Sequence, residues 1–266
     1  MCIRDSPRAP PQPRRWGRHL GPARVSETRP AFYALESGGW RDYVTLLHPP
    51  YTLWHLSYVA IGAALAPELH VGRLGWTLLA FALALGVAAH ALDELQGRPL
   101  RTGIPTPGLV ALAVATLGAA VAIGAVAALA WTLWLLPAVA FGAFVAVAYN
   151  LELLGGRLHT PLWFALAWGA FPVLTGYLAV AERLAPEAFA AAAFAALLSG
   201  AQRELSTAAR DLRRRTRAVE GFVERDDGSR EQLSAAALRA APERALRLLT
   251  LAVVALAVSL LLLRLA

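Results

Sequence analysis

Acidic and basic side chains cluster in residues 88–105, directly after a long apolar run. The cluster comprises His90, Asp93, Glu94, Arg98 and Arg101. Its position is where a membrane helix is expected to meet water, and carboxylates beside guanidinium groups suit the binding of Mg²⁺ and a phosphate group. The same pattern also fits a helix end whose charges are only solvated and paired. The choice between these two alternatives decides which function the cluster supports.

The elements that position this cluster are membrane helices by composition. Hydrophobic residues make up 57% of the chain, charged residues 16%, and mean hydropathy is +0.49. Residues 102–151 contain no Asp, Glu, Arg or His, which leaves room for two spans of about 20 residues each. Because long spanning runs must satisfy their backbone internally, they predict helices and an all-α, polytopic transmembrane helix bundle. Seven spans are predicted, at 44–66, 74–92, two within 102–151, 161–181, 186–205 and 246–264.

The arginines predict the orientation of these spans. All 25 basic residues are arginine, and most lie in loops that share one side if the N-terminus is cytoplasmic. Positive charge collects on the cytoplasmic side, so we expect a protein of the bacterial inner (plasma) membrane with cytoplasmic site-bearing loops. The pI of about 10.4 then reflects this orientation and contact with anionic lipid in the bilayer. No nucleic-acid partner is expected, because a soluble basic face with interleaved aromatic residues is missing.

The notable polar residues fall on that same predicted face. They are His48 before span one, the 88–105 cluster after span two, Tyr149 and Asn150 ending span four, Arg157 and His159 before span five, and Gln202, Arg203, Glu204 and Asp211 ending span six. Carboxylates from two helix ends with flanking arginines can hold Mg²⁺ and, through it, a diphosphate. Pro137 and Pro172 are expected to kink spans four and five and to open a cavity.

The ends of the chain need separate treatment. The first six residues, MCIRDS, match the in-frame translation of a sequencing adapter and contain the only Met and Cys, so they are excluded from the fold. Residues 7–40 are rich in Pro, Arg and Gly and are predicted to be a disordered basic arm. Residues 41–266 are the transmembrane domain. Its cytoplasmic loop at 206–245 is either a solvated connector or a lid on the membrane surface.

Several segments, in order, resemble the UbiA superfamily of membrane prenyltransferases. They are TLLHPPYTL at 45–53, RPL at 98–100, AYNLEL at 148–153, WGAFPVLTGY at 168–177 and the pair Arg203-Glu204. The resemblance covers about residues 41–265. It implies a UbiA-type fold and the Mg²⁺-dependent transfer of a prenyl group from a polyprenyl diphosphate to an aromatic or quinone-precursor acceptor.

The resemblance also implies roles for individual residues. Mg²⁺ would be held by Asp93, Glu94, Glu204 and Asp211, which together with Tyr149 form the predicted catalytic set. The diphosphate and the small hydrophobic acceptor would be bound by His48, His90, Arg98, Arg101, Asn150, Arg157 and Arg203. The chain departs from the family pattern in its acidic motifs, since Ala208 and Arg215 stand where further acids are expected. It also has fewer spans than the nine that the family usually has.

These departures leave alternatives open. Arginine replaces part of the metal charge in an active enzyme, or the chain is an inactive relative that binds isoprenoid or quinone or serves as a membrane scaffold. A third alternative is a membrane metalloenzyme that uses His48, His90, His159 and Asp93. A transporter is disfavoured, because His55 is the one ionisable residue at mid-depth in a span, where a bond to a neighbouring helix is expected.

Overall fold

The structure of the protein is a computed structural model that describes residues 29–266. The predicted adapter segment and most of the predicted basic arm lie outside the described residues. The elements are α1 (Trp40–Leu46), α2 (Pro49–Leu65), α3 (Val71–Leu95), α4 (Thr106–Ala130), α5 (Leu135–Asn150), α6 (Pro161–Ala181), α7 (Pro186–Arg214), β1 (Phe222–Glu224), β2 (Arg230–Gln232) and α8 (Ala235–Leu265). The predicted all-α class is confirmed, apart from the small hairpin of β1 and β2.

Four helices, α3, α4, α6 and α8, are long and apolar enough to cross a membrane. Helix α5 is apolar but has only 16 residues, which extend about 24 Å at 1.5 Å per residue. Helix α2 has 17 residues, and α7 has 29 residues of which the last part is strongly charged. Seven helices thus occupy the seven predicted segments, while length and composition establish a membrane-spanning character for four of them.

The centre of the bundle is a close contact between α2 and α6. A Cβ atom at Gly62 would lie 2.1 Å from the carbonyl oxygen of Val173, and one at Gly176 would lie 2.3 Å from that of Val59. The two backbones therefore touch where glycine removes the side chain, a common way of packing helices in membranes. Trp54, Tyr58 and Val173 are fully buried in the adjoining core, to which α7 and α8 also contribute.

Two π-helical segments interrupt the long helices, Ala82–Ala89 in α3 and Ala165–Ala170 in α6. Proline has no N–H, so Pro172 cannot donate to the carbonyl of Trp168, four residues earlier. That carbonyl lies 2.7 Å from Nδ1 of His55, which must donate to it because a carbonyl only accepts. The expectation that His55 bonds a neighbouring helix is confirmed. Pro137, by contrast, lies in the first turn of α5, where it removes no intrahelical bond.

The connector predicted at 206–245 is largely helical. Helix α7 runs on to Arg214, β1 and β2 form an exposed antiparallel hairpin, and α8 begins at Ala235 and continues without a break to Leu265. The predicted amphipathic segment is thus the first part of α8 and not a separate surface lid. Its helix start is capped by Ser234, whose hydroxyl accepts a hydrogen bond from the backbone N–H of Ala237.

Residues 29–39 also differ from the predicted basic arm. Ala34 is buried with Leu100, and the backbone N–H of Leu35 donates to the hydroxyl of Thr45 over 3.0 Å. The buried carboxylate of Asp42 accepts from the backbone N–H groups of Gly38 and Gly103, each at 3.1 Å. This segment therefore packs on the helix ends that carry the polar residues, and the ordered domain begins before residue 41.

Candidate functional site

A polar pocket lies where several helix ends meet on one side of the bundle. It is lined at its rim by Pro30–Tyr33, and within by His48, Tyr51, His55, His90, Asp93, Tyr149, Asn150, His159, Phe164, Trp168, Gln202, Arg203, Ser206, Arg210, Arg213, Arg214 and Glu243. The starts of α2, α6 and α8 and the ends of α3, α5 and α7 all contribute to it. The structure thus brings together residues from the helix ends that the sequence placed on one face.

A second, apolar groove lies beside this pocket, among α3, α4, α5 and α6. Its lining is almost wholly hydrophobic and includes Ala84, Leu85, Val139, Ala146 and Phe171. Trp168 lines both the groove and the polar pocket. In α3 and α5 the groove residues Ala89 and Val145 precede the pocket residues Asp93 and Tyr149 by one helical turn. A polar site and an apolar site therefore adjoin along the same helices.

Glu94 lies outside this pocket and anchors the turn after α3. The residue is fully buried. Its carboxylate accepts hydrogen bonds from the backbone N–H of Leu100 at 2.9 Å, from that of Thr102 at 2.8 Å and from the Thr102 hydroxyl at 2.9 Å. Both oxygens are therefore occupied within the chain, unlike the metal-facing oxygens that the resemblance implies. This local role fits the alternative in which the charges of the 88–105 cluster only stabilise a helix end.

The two arginines of the cluster also lie outside the pocket. Arg98 donates to the carbonyl of Ile104 over 2.5 Å and to the Thr106 hydroxyl at the start of α4 over 2.9 Å. Arg101 is exposed. The turn that holds them contains three positive-φ positions, Gly97, Arg98 and Arg101. Arg98 therefore stabilises the turn between α3 and α4. Neither Arg98 nor Arg101 lines the pocket.

The remaining predicted residues outside the pocket are Arg157, Glu204 and Asp211. Arg157 and Glu204 are exposed. Asp211 forms a surface ion pair with Arg215, at 3.4 Å between nitrogen and oxygen. The four predicted metal ligands therefore do not converge: Asp93 alone faces the pocket, because Glu204 and Asp211 lie on a different side of α7 from the residues that do.

Six of the predicted site residues do lie together in the pocket: His48, His90, Asp93, Tyr149, Asn150 and Arg203. Among the described residues, Asp93 has neither a salt bridge nor a side-chain hydrogen bond, although other pocket residues carry positive charge. The Tyr149 hydroxyl accepts a hydrogen bond from Arg203 at 2.5 Å. The amide of Asn150 donates to the carbonyl of Ala146 at 2.7 Å, which anchors it to its own helix.

Four histidines line the pocket, and three of them belong to two aromatic stacks. The rings of His48 and His90 are stacked with centroids 4.0 Å apart, and His159 stacks on Tyr149 at 4.5 Å. Nδ1 of His90 donates to the carbonyl of Gly86 over 3.0 Å. Two parallel rings in contact direct their nitrogens sideways, away from a shared point between them. The stacking therefore disfavours joint coordination of one metal ion by His48 and His90.

The pocket wall formed by α7 carries four arginines, of which sequence reasoning assigned only Arg203 to the site. Arg203, Arg210, Arg213 and Arg214 line the pocket. Their spacing, at positions 203, 210 and 213/214, places them on one face of the helix, with Ser206 between them. That periodicity was available in the sequence. It was obscured because the segment 203–217 contains further arginines on other faces.

The segment Pro30–Tyr33 borders the pocket and is held there by the same wall. Arg214 donates to the carbonyl of Pro30 at 3.0 Å, and Arg213 donates to that of Arg29 at 3.2 Å. Tyr33 lies 2.9 Å from Nδ1 of His48. Burial raises the pKa of the Tyr33 hydroxyl well above its ordinary value, so the phenol keeps its proton at neutral pH. Burial also lowers the pKa of the Arg214 guanidinium.

Two buried polar atoms of this pocket have no hydrogen-bond partner, Nε2 of His48 and Oε1 of Gln202. They are the only such side-chain atoms in the part of the chain that the structure describes. Buried polar atoms are nearly always paired, so an unpaired atom calls for a specific explanation. Gln202 is 3% exposed. Both atoms border the same cavity, where a bound molecule can supply the missing partners.

The residues present do not fit a metal site of the predicted composition. Within residues 29–266 no group of three or more His, Cys, Asp or Glu side chains is arranged to hold a metal ion. Mg²⁺ prefers several oxygen ligands in octahedral geometry, whereas the pocket offers Asp93 and a Glu243 carboxylate that is paired with Arg213 at 2.5 Å. Mg²⁺ dependence and the histidine metalloenzyme both stay predictions.

Comparisons of the chain with protein-family models, curated proteins and solved structures found no match. The class that the structure defines is a helical membrane protein with a polar, arginine-bearing pocket beside an apolar groove.

Proposed function

We propose that the chain is a UbiA-like integral membrane prenyltransferase that binds a polyprenyl diphosphate and transfers its prenyl group to an aromatic or quinone-precursor acceptor. The observation that carries the proposal is the junction at Trp168 between the apolar groove and the arginine-bearing pocket. An isoprenoid chain suits the groove because burial of apolar surface is favourable. A diphosphate suits the pocket because guanidinium groups form strong, charge-assisted hydrogen bonds with phosphate oxygens.

In the proposed reaction the bond between C1 of the prenyl chain and the diphosphate oxygen breaks, and the diphosphate leaves with the bonding electrons. A new bond forms between C1 and a carbon or oxygen atom of the acceptor, which loses one proton. Asp93 is the pocket carboxylate without an ion-pair partner among the described residues, and we assign it as the proton acceptor. Arg203, fixed by Tyr149 at 2.5 Å, stabilises the negative charge of the leaving group.

The first test is binding. The protein in nanodiscs is titrated with geranylgeranyl diphosphate and with geranylgeraniol, Mg²⁺ being present. We expect tighter binding of the diphosphate, and a loss of binding in Ala84→Phe, which fills the groove. Ala115→Phe is the matched control, because Ala115 is an exposed residue of α4 that does not line the groove. If neither compound binds, the proposed function is wrong.

The second test is turnover. Radiolabelled geranylgeranyl diphosphate is incubated with the protein and a panel of phenolic and naphtholic acceptors, and prenylated product is separated by chromatography. Product that is lost in Asp93→Asn supports the enzyme. Tight binding of the diphosphate without any product instead supports the alternative of an inactive isoprenoid-binding protein, which the separation of Glu94, Glu204 and Asp211 from the pocket favours.

A further inference from the structure

We infer that the pocket binds the diphosphate of an isoprenoid through the guanidinium groups of Arg203, Arg210 and Arg214, and that this binding needs no divalent cation. The inference rests on the proposed function and names the groups that hold its anionic substrate. It concerns how this chain replaces the acids that a Mg²⁺-bound diphosphate would need, and it depends on what each charged group in the pocket already contacts.

Two of the three carboxylates at or beside the pocket are already bound within the chain. Glu94 is saturated by two backbone N–H groups and a hydroxyl at 2.8–2.9 Å. Glu243 is paired with Arg213 at 2.5 Å and lies 3.8 Å from Arg239. Asp93 is therefore the one carboxylate in the pocket that faces a ligand without an ion pair among the described residues. A divalent cation bound here would have one free carboxylate as a protein ligand, and it would meet repulsion from the nearby guanidinium groups.

Three of the four pocket arginines bond only neutral acceptors among the described residues. The charge of Arg213 is compensated by Glu243. Arg203 donates to the Tyr149 hydroxyl, Arg210 to the Thr207 hydroxyl and Arg214 to the carbonyl of Pro30, and all three acceptors are neutral. Among the described residues these three arginines thus have no ion-pair partner, and Asp93 is the one unpaired carboxylate in the same pocket. Because a guanidinium group has five N–H donors, each arginine retains donors for phosphate oxygens beside its present bond.

The position of these three arginines beside the apolar groove also fits an isoprenoid diphosphate. The three arginines lie on one face of α7, on the wall of the pocket that adjoins the apolar groove through Trp168. Arg203 is in addition placed over the ring of Phe164, 5.2 Å from its centroid. An isoprenoid diphosphate bound by these arginines has its apolar tail directed into the groove along α3 and α5. A free inorganic anion or a phospholipid headgroup has the same phosphate chemistry but lacks this tail.

The test measures binding of geranylgeranyl diphosphate to the full chain in nanodiscs of zwitterionic lipid, once with Mg²⁺ and once with excess EDTA. We expect the two dissociation constants to agree within about threefold, a difference below 1 kcal/mol. Arg210→Gln is expected to weaken binding about tenfold or more under both conditions, because it removes a charge-assisted contact. Arg210 is exposed and bonds only a neighbouring hydroxyl, so the variant is expected to fold.

The matched control is Arg215→Gln, directly after the end of the same helix but exposed and paired with Asp211 outside the pocket; its binding is expected to be unchanged. Inorganic pyrophosphate and nanodiscs with phosphatidylglycerol are added as competitors. Pyrophosphate is expected to compete more weakly than geranylgeranyl diphosphate binds, because it is the leaving group without the tail. Competition by either compound with an affinity equal to or above that of geranylgeranyl diphosphate would show that the tail contributes nothing and would overturn the isoprenoid assignment. Binding that occurs only with Mg²⁺ would overturn the inference and leave the proposed function standing. No binding in either condition would remove both.

Discussion

Three carboxylates near the ends of α3 and α7 have different roles in this protein, which their burial and hydrogen bonds distinguish. Glu94 is buried and binds the backbone of the next turn, Glu204 is exposed, and Asp93 faces the pocket. The family resemblance assigns all three to one metal site. A carboxylate that accepts several internal hydrogen bonds is a structural anchor, since those bonds are lost when it turns to an ion. This distinction can be measured.

Glu94→Gln is expected to destabilise the protein by about 1–3 kcal/mol, because the amide cannot accept all three hydrogen bonds and buries a donor among donors. Unfolding in detergent, followed by circular dichroism, measures the change. Glu204→Gln, at an exposed position of α7, is expected to have no effect on stability. Loss of prenyl-diphosphate binding in Glu94→Gln at unchanged stability would instead identify Glu94 as a ligand-binding residue.

Gln202 gives a second test at this scale. Its Oε1 is buried without a partner among the described residues, which carries a cost of about 1–3 kcal/mol. Gln202→Met has a similar volume and lacks the unpaired group, so we expect the ligand-free variant to be as stable as the parent or more so. A drop in its unfolding midpoint would show that the amide already has a partner in the ligand-free protein.

At the scale of elements, glycines and prolines that resemble family motifs have a packing explanation. Gly169, Pro172 and Gly176 all lie in WGAFPVLTGY, and the two glycines touch neighbouring helix backbones. Pro172 leaves the Trp168 carbonyl to His55. This motif therefore fixes the positions of α2, α6 and α7. Its contribution to the site is indirect, through the placement of Trp168 between groove and pocket.

The glycine contact gives a prediction for stability. Gly62→Ala places a Cβ against the Val173 carbonyl at 2.1 Å, so the helices must separate, at a cost of about 1–3 kcal/mol or more. Gly118→Ala is the control, because a Cβ there meets no atom within 4 Å. The control is expected to be neutral or stabilising, since alanine favours helix over glycine. Equal effects of the two substitutions on the thermal midpoint would contradict the close contact.

The link between His55 and Pro172 is tested by a double-mutant cycle. His55→Leu leaves the buried Trp168 carbonyl without a donor, which is expected to cost about 1–3 kcal/mol. In the Pro172→Ala background the residue at 172 regains its N–H and can satisfy that carbonyl. We therefore expect the cost of His55→Leu to fall by about 1 kcal/mol or more in that background. Additive effects of the two changes would show that the carbonyl does not connect them.

For the whole molecule, the question is how many helices cross the membrane. Seven helices share one bundle, although α5 is only 16 residues long and α7 is charged at its end. The hydrocarbon core is about 30 Å thick, so α5 spans it only with local thinning or with help from flanking residues. The paired polar groups at the end opposite the pocket, such as Arg73 with Glu182 at 2.6 Å, fit a second membrane surface.

Single cysteines in a Cys2→Ala background test the crossings by α5 and α7. Leu154→Cys and Ser229→Cys are expected to react with a membrane-impermeant maleimide from one side, and Leu133→Cys and Leu184→Cys from the other. Labelling is compared in intact spheroplasts and in inverted vesicles. The pairs differ across α5 and α7, two of the three helices for which length and composition do not establish a crossing. Labelling of Leu133→Cys and Leu154→Cys from the same side would contradict a crossing by α5.

Hydropathy and charge patterns alone predict the membrane class, the positions of the seven helices and the gathering of polar residues at one end of the bundle. Long apolar runs and segregated charges are local properties, so they can be read without coordinates. The end of α3 shows the limit of this reasoning: Asp93 and Glu94 are adjacent in sequence and indistinguishable by type, yet only one reaches the pocket.

Which charged groups meet depends on the packing of the helices against one another. Helical rotation directs Asp93 into the pocket and Glu94 toward the turn, where Leu100 and Thr102 occupy it. The rotation of α7 likewise brings Arg210 and Arg214 to the pocket and leaves Glu204 and Asp211 outside it. Adjacent residues on a helix point about 100° apart, so the neighbour that each side chain meets depends on packing between distant segments. For that reason the expected acidic site became, in three dimensions, a pocket dominated by arginine.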